Sequence, residues 1–194
     1  MGPPTVRSAV EAERNALHAV ITLAFSIDPV ARWVAPNPTT FLASMPLFVD
    51  AFGCNGLPQG ASFVTDGFFG AALWLPPGVE PDGERMDELM MQYIQPPIRD
   101  EFIALFGEMA TYHPTEPHWY LPMIGVDPAQ QNRGYGAALM RHATQIFDRD
   151  GAVAYLESSN PRNLSLYERH GFEQLGTIQV GSSPPVYPML RMPR

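Results

Sequence analysis

The sequence predicts an α/β fold of the α+β type, with helices flanking one mixed, mostly antiparallel sheet of about seven strands. Strand-like and helix-like patterns alternate from Trp119 to Met192. A hairpin signal, Asp66-Gly67, separates two apolar runs further upstream. The chain has 194 residues, of which 45% are hydrophobic, and this suffices for one core of ordinary size. We therefore expect residues 1–194 to form a single domain.

The N-terminal third of the chain is predicted to contain a strand, two helices and a hairpin. Its apolar spacings of three and four indicate helices, and its apolar runs next to turn residues indicate strands. The predicted elements are a strand over 5–10, a helix from Ala12 that Pro29 ends, a helix from Phe41 to Gly53, and strands over 61–65 and 68–75 with a two-residue turn between them. Residues 83–112 follow as a helical insertion, broken at Pro96-Pro97.

The C-terminal part of the chain is predicted to alternate strand and helix and to end in an antiparallel pair. Gly151 is a C-cap signal, and Asn160 followed by Pro161 is an N-cap signal. The predicted elements are a strand over 119–126, a helix with the apolar stripe Tyr135, Leu139, Ala143, Ile146 and Phe147, a strand over 152–157, a short helix ending at Gly171, and strands over 173–180 and 186–192.

Composition excludes several classes of function. All 12 basic residues are arginines, so a Walker-type P-loop, a protein kinase and a Schiff-base enzyme are excluded, because each needs a lysine amine. The net charge of -8 opposes general binding to nucleic acid or to anionic lipid. The single cysteine, Cys54, can form neither an internal disulfide nor a thiolate zinc site. With no signal peptide and no membrane span in the sequence, we expect a cytoplasmic protein without a metal, without nucleic-acid partners and without a membrane partner.

The densest chemical signal is Gln131-Asn132-Arg133-Gly134-Tyr135-Gly136, between a predicted strand and a predicted helix. A helix N-terminus with glycines exposes backbone N–H groups and the positive end of the helix dipole, which favours phosphate. A dinucleotide-binding fold would need a third glycine where Leu139 stands, and would need the motif after the first strand. The segment therefore predicts a phosphate site outside a Rossmann fold.

Three blocks in the correct order resemble the GNAT superfamily of acyl-CoA-dependent N-acetyltransferases. Gln131-x-x-Gly134-x-Gly136 is similar to the superfamily's pyrophosphate loop, Ile124–Pro128 to the strand end before it, and Asn160–Phe172 to its Asn…Tyr-Glu-x-x-Gly-Phe block. A narrower resemblance, to puromycin N-acetyltransferase-like bacterial enzymes, is carried by Thr5-Val6-Arg7, Ala71–Trp74 and Glu116–Leu121.

The resemblance implies a GNAT fold in which two central strands splay apart and coenzyme A lies in the gap. Acetyl-CoA would then be the cosubstrate, with its pantetheine arm along a free strand edge and its diphosphate on the loop and the helix N-terminus. The residues implied to bind it are Ile124, Gly125, Val126, Gln131, Asn132, Arg133, Gly134, Tyr135, Gly136, Ala137 and Asn163.

The resemblance also implies the catalytic residues. Tyr167 occupies the position of the tyrosine that protonates the departing thiolate, a role that suits a phenol. Glu157 is the first candidate for the general base, followed by Asp28 and His118. A backbone N–H near Met123 is the expected oxyanion donor.

The predicted function is transfer of an acetyl group to a primary amine of a small molecule by direct attack on the thioester. The alternatives are a non-catalytic acyl-CoA sensor, and an acyltransferase that uses another acyl chain or a hydroxyl acceptor. A homodimer is implied by the resemblance. Acceptor recognition is expected from Phe25–Trp33, Trp74 and the insertion around Met90, Met91 and Tyr93, which lies over the substrate side.

Overall fold

The computed structural model describes residues 4–194, which fold into seven strands and seven α-helices in the described part. The strands are β1 (Val6–Ser8), β2 (Ser62–Thr65), β3 (Gly70–Leu75), β4 (His118–Val126), β5 (Val153–Ser158), β6 (Glu173–Gln174) and β7 (Tyr187–Arg191). The helices are α1 (Arg14–Ala24), α2 (Pro29–Val34), α3 (Pro38–Gly53), α4 (Gly83–Tyr93), α5 (Pro96–Ala110), α6 (Tyr135–Asp150) and α7 (Leu164–Arg169).

One seven-stranded sheet organises the fold, in the order β1-β2-β3-β4-β5-β7-β6. The β4–β5 pair is parallel and the other neighbours are antiparallel. The predicted α/β class with a mostly antiparallel sheet of seven strands is therefore confirmed.

The two central strands pair over only part of their length. Residues 118–121 of β4 pair with residues 153–156 of β5, and the ladder stops there although β4 continues to Val126. Pro122 is the first residue of β4 beyond that ladder. A proline is tolerated there because the N–H that it lacks would have no partner strand. The sheet consequently opens between β4 and β5.

Helices cover both faces of the sheet. Successive residues of β3 point to opposite faces: Leu73 packs in a core with α1 and α3, whereas Ala72 and Trp74 pack in a core with α6. The first core contains Leu17, Ile21, Phe41, Met45 and Val49, and the second contains Leu139, Ala143, Phe147, Leu156 and Tyr167. Each face of the sheet is thus buried under a separate helical layer.

Pro29 does not end the first helix as predicted; it begins α2. Helix α1 ends at Ala24, and Asp28 is the N-cap of α2, where its side chain accepts a hydrogen bond from the N–H of Ala31. Proline suits this first helical position because the N–H that it lacks would have no helical partner there.

The predicted two-residue hairpin turn is also wrong. Strands β2 and β3 are joined by the four residues 66–69, in which Gly67 and Phe68 have φ of 70° and 54°. The side-chain oxygen of Thr65 accepts a hydrogen bond from the N–H of Gly70 at 3.0 Å, so strand pairing resumes two residues later than the Asp-Gly signal indicates.

Elements after residue 115 follow the sequence prediction more closely. Gly151 ends α6 in the left-handed conformation with φ of 62°, and the Asn160 side chain accepts a hydrogen bond from the N–H of Arg162. The strand predicted over 173–180 is shorter, since β6 is only Glu173–Gln174 and an isolated bridge joins Ile178 to Val186. Within residues 4–194, none of the helices combines the length and the apolar character that crossing a membrane would need.

Candidate functional site

A cavity of about 520 Å³ occupies the opening between β4 and β5. One side is formed by the end of β4, the loop before α6 and the start of α6, together with α7. The opposite side is formed by apolar residues of α2, α3 and α5. The gap in the sheet therefore connects a polar cradle to an apolar wall.

The free edge of β4 provides the backbone groups of the cradle. Asp127 N–H donates to the carbonyl of Phe69 at 2.8 Å, and hydrogen-bonded pairs alternate along antiparallel strands. In this register the N–H groups of Gly125 and Met123 face β3, whereas those of Ile124 and Val126 face the gap. The oxyanion donor expected near Met123 would therefore be Ile124, because the N–H of Met123 belongs to the β3–β4 ladder.

The loop before α6 forms the second part of the cradle. Gly134 is the N-cap of α6, with φ of 86°. Because glycine has no side chain, it leaves the first N–H groups of the helix without a side-chain capping partner. Gln131 donates from Nε2 to the carbonyl of Val126 at 3.4 Å and closes the loop onto the strand end.

Most residues that the sequence predicts for cofactor binding line this cavity. They are Ile124, Gly125, Val126, Gln131, Asn132, Gly134, Tyr135, Gly136, Ala137 and Asn163. Arg133 is exposed and is absent from the lining, so its side chain has no observed contact with the site. A row of free strand N–H groups and an uncapped helix N-terminus is a donor set that fits the amides and diphosphate of acetyl-CoA.

Tyr167 lies beneath the cradle on α7 and lines the cavity although its side chain is only 4% exposed. It packs against Phe172, with ring centroids 6.3 Å apart. Burial and the nearby Asp28 carboxylate raise the pKa of Tyr167, and a hydrogen bond with Asn163 partly opposes this. The phenol therefore holds its proton at neutral pH.

Asp28 is a buried carboxylate in the cavity wall, at the N-terminus of α2. Its Oδ2 accepts a hydrogen bond from Ser159 Oγ at 2.6 Å, and its Oδ1 accepts one from Ala31 N at 3.0 Å. Burial raises the pKa of Asp28 despite these bonds. One carboxylate oxygen caps α2 and the other joins α2 to the residue after β5, which favours a structural role over that of a base.

Glu157 lies in the cavity wall near the end of β5, with its side chain 3% exposed. Its Oε1 lies 2.9 Å from His113 Nε2. Its carboxylate, together with burial, raises the pKa of Tyr120 well above the usual value and raises that of Tyr155. Both phenols consequently stay neutral beside this buried carboxylate. Because Glu157 lines the cavity, it stays the first candidate for a base.

His118, the remaining candidate base, lies elsewhere. It lines a second cavity of about 240 Å³, and its Nδ1 is 2.9 Å from the carbonyl of Glu116. The main cavity does not include it. His113, which sequence reasoning missed, lines the same second cavity. It follows α5 in a segment without periodicity, so no local pattern marked it.

The apolar wall includes part of the segment Phe25–Trp33 that was expected to recognise the acceptor, but not the other expected residues. Trp74 is fully buried, and its ring centroid lies 4.7 Å from that of Phe147, so it belongs to the core. Met90, Met91 and Tyr93 do not line the cavity. The wall is formed by Phe25, Ile27, Val30, Ala31, Phe41, Met45, Phe48, Phe52, Met86, Phe102, Leu105, Phe106 and Met109. The insertion thus contributes α5 and one residue of α4.

A cluster of His18, Asp50 and Cys54 has the spacing of a metal site in the described part of the chain. Arg14 already donates to Asp50 Oδ1 at 2.6 Å, and burial raises the pKa of Cys54 to about 12. A guanidinium bound to one ligand and a thiol that keeps its proton oppose metal binding.

Comparison with known proteins gives a consistent result. Residues 91–172 match the model of the acetyltransferase (GNAT) family. An uncharacterised N-acetyltransferase of Schizosaccharomyces pombe is 25% identical over 198 residues, covering 90% of this chain and 78% of that protein.

Solved structures agree over the whole chain. A structure from Corynebacterium glutamicum, described as histone acetyltransferase HPA2 and related acetyltransferase, is 25% identical with a TM-score of 0.71, covering 100% of this chain and 98% of that one. A polyamine N-acetyltransferase of Drosophila melanogaster has a TM-score of 0.66 at 17% identity over 97% of this chain and 99% of that one, and shows the fold alone. The narrower resemblance to puromycin N-acetyltransferase-like enzymes is not confirmed and stays a prediction.

Proposed function

We propose that this chain, whose residues 91–172 match the acetyltransferase (GNAT) family, is an acyltransferase. It would transfer the acetyl group of acetyl-CoA to a primary amine of a small molecule by direct attack on the thioester. The observation that carries the proposal is the single cavity that joins the free edge of β4, the N-terminus of α6, Tyr167 and Glu157. A buried acid and a buried base that line one cleft suit a transfer between two bound substrates.

Acetyl-CoA supplies the activated acetyl group as a thioester. The N–H of Val126 would hold the pantetheine arm, the N–H of Ile124 would face the thioester, and the loop from Gln131 with the first turn of α6 would hold the diphosphate. The chain carries a net charge of -8, so this attraction has to be local. The uncapped helix N-terminus provides it without a lysine.

Two side chains hold the protons of the reaction. Tyr167 keeps its proton on Oη and can donate it to the departing sulfur. Glu157 presents a buried carboxylate that can accept a proton from the acceptor amine. Ile124 N–H faces the gap and is the backbone donor available to an oxyanion.

The acceptor site favours an amine with an apolar or aromatic body. Its wall consists mainly of phenylalanine, methionine and aliphatic side chains, which recognise apolar surface. The Drosophila neighbour is described as a polyamine enzyme, but the wall of this cavity offers few charges for a polycation. A hydroxyl acceptor, a longer acyl chain and a non-catalytic sensor role are the alternatives that a turnover assay separates from this proposal.

Thermal unfolding with added ligands tests the cofactor half of the proposal. Acetyl-CoA and coenzyme A at about 100 times their dissociation constants should stabilise the protein by roughly 2.7 kcal/mol. For a chain of this size the midpoint would rise by about 2–4 °C per kcal/mol. NADH and ATP serve as controls, and an equal rise with either would contradict the proposal.

Thiol release tests the acceptor half. Arylalkylamines should release coenzyme A faster than polyamines such as agmatine, and an alcohol or a longer acyl-CoA should be a poor substrate. Binding without turnover on any amine would favour the sensor role. The homodimer and the cytoplasmic location stay predictions. The molar mass measured by light scattering would test the dimer.

A further inference from the structure

Glu157 and its neighbour His113 line two different cavities. Glu157 lines the main cavity, whereas His113, whose Nε2 lies 2.9 Å from Glu157 Oε1, lines the second cavity. The Glu157 side chain is 3% exposed and that of His113 is 31% exposed. A buried carboxylate inside the site thus lies at ion-pair distance from a partly exposed imidazole outside it, without a hydrogen bond between Oε1 and Nε2 in this arrangement.

Aromatic rings hold the imidazole in this position. The His113 ring centroid lies 4.4 Å from Tyr155, 4.7 Å from Tyr120 and 5.7 Å from His118. Tyr120 lines both cavities and so forms the partition between them. Glu80 and Glu116 also line the second cavity and make its environment favourable for a cation.

The proposed acetyl transfer releases one proton when the acceptor amine binds as a cation. An amine that arrives as an ammonium ion loses two protons from nitrogen when the N–C bond forms and the C–S bond breaks. One of these balances the proton that Tyr167 gives to sulfur, and the other is released. An amine that arrives neutral releases no net proton. A route out of a cavity that is filled by two substrates is therefore needed only for cationic acceptors.

We propose that Glu157 passes this proton to His113, which releases it into the second cavity. This rests on the proposed function. Glu157 accepts a proton from the acceptor ammonium, the proton moves from Oε1 to Nε2 of His113, and water in the second opening takes it up. Imidazole is the side chain suited to such an exchange near neutral pH. His113 acts through Glu157 and is a positioning and relay residue.

A pair of acceptors with matching bodies tests the relay. At pH 7, 2-phenylethylamine is a cation and O-benzylhydroxylamine is neutral. His113→Gln, which retains a polar side chain but cannot carry the proton, should lower kcat with 2-phenylethylamine by about a hundredfold. With O-benzylhydroxylamine its kcat should stay within about twofold of the unmodified protein. Glu157→Gln is the second variant and should lower kcat with both acceptors, because Glu157 accepts the first proton from either amine, so only His113→Gln should distinguish the acceptors by charge.

His118→Gln is the matched control. His118 lies in the same second cavity but does not touch Glu157, so both rates should be unchanged. Equal losses with both acceptors in His113→Gln would indicate packing only and would overturn the relay, as would unchanged rates. If the unmodified protein releases no thiol with either acceptor, the proposed function fails instead.

Chemical modification gives a readout that does not depend on turnover. Diethyl pyrocarbonate should modify His113 at the same rate with and without saturating coenzyme A, as followed by peptide mass spectrometry. Protection of His113 by coenzyme A would place its ring inside the main cavity and would overturn the proposed exit route.

Discussion

Ser159 Oγ donates a hydrogen bond to Asp28 Oδ2 at 2.6 Å and thereby joins the end of β5 to the N-terminus of α2. The two residues are 131 positions apart in the chain. The bond fixes the acceptor wall against the strand that carries Glu157. It also keeps a carboxylate buried close to Tyr167, whose pKa it helps to raise.

Asp28→Asn should change stability in a pH-dependent way. Burial raises the pKa of Asp28 in the folded state, so its contribution to stability is fully present below the unfolded pKa and is lost as pH rises through the folded pKa. Asparagine keeps the N-cap but does not titrate. The free energy of unfolding of the variant, relative to the unmodified protein, should therefore be larger at pH 7 than at pH 4. Urea unfolding at both pH values measures it, and a constant difference would contradict the prediction.

Tyr167→Phe should lower kcat by about 10²–10⁴, because the phenol proton on its oxygen is lost. Acetyl-CoA affinity should stay within about threefold, since the ring still packs beneath the cradle. Steady-state thiol release and calorimetry measure the two effects. Tyr93→Phe is the control, because Tyr93 lies on α4 outside the cavity. An unchanged kcat in Tyr167→Phe would remove its assignment as the acid.

Gly136→Asp should weaken acetyl-CoA binding at least about tenfold, or 1.4 kcal/mol, because it places a carboxylate in the first turn of α6. A Cβ there would lie 3.4 Å from Leu166, an acceptable contact. An acidic residue at a helix N-terminus stabilises the helix by about 0.3–1 kcal/mol, so misfolding is not the expected cause.

Gly83→Asp is the matched control for this substitution. Gly83 is the first residue of α4, and a Cβ there meets no atom within 4 Å. The same change at a helix N-terminus away from the cavity should leave acetyl-CoA affinity unaltered. Calorimetric titration of both variants decides, and equal losses would argue against the diphosphate cradle at α6.

Cys54 should be inert in the folded protein. It is fully buried, and burial raises its pKa to about 12, so roughly one thiol in 10⁴ is ionised at pH 8. Ellman's reagent should react at least about a hundredfold more slowly than with the urea-unfolded chain. Incubation with acetyl-CoA should leave no acetyl group on Cys54 by mass spectrometry. A stable acetyl-thiol intermediate would contradict direct attack on the thioester.

The sequence predicted the C-terminal half well, because its signals are local. The glycines of the loop before α6, the C-cap at Gly151 and the N-cap at Asn160 each depend on contacts within a few residues. The strand order of the N-terminal hairpin was also predicted, but its turn was not. There the side chain of Thr65 binds Gly70 and displaces the short-range preference of Asp66-Gly67.

By itself, the sequence determined the fold class, from the alternation of strand and helix patterns, and the positions of the glycine loop before α6 and of Tyr167, which each belong to a pattern within one segment. Only the tertiary structure decided which face of each helix lines the cavity, that Ile124 instead of Met123 has the free N–H, and that His113 touches Glu157. These relationships join segments far apart in the chain. They depend on strand register and helix packing, which no local spacing of residues specifies.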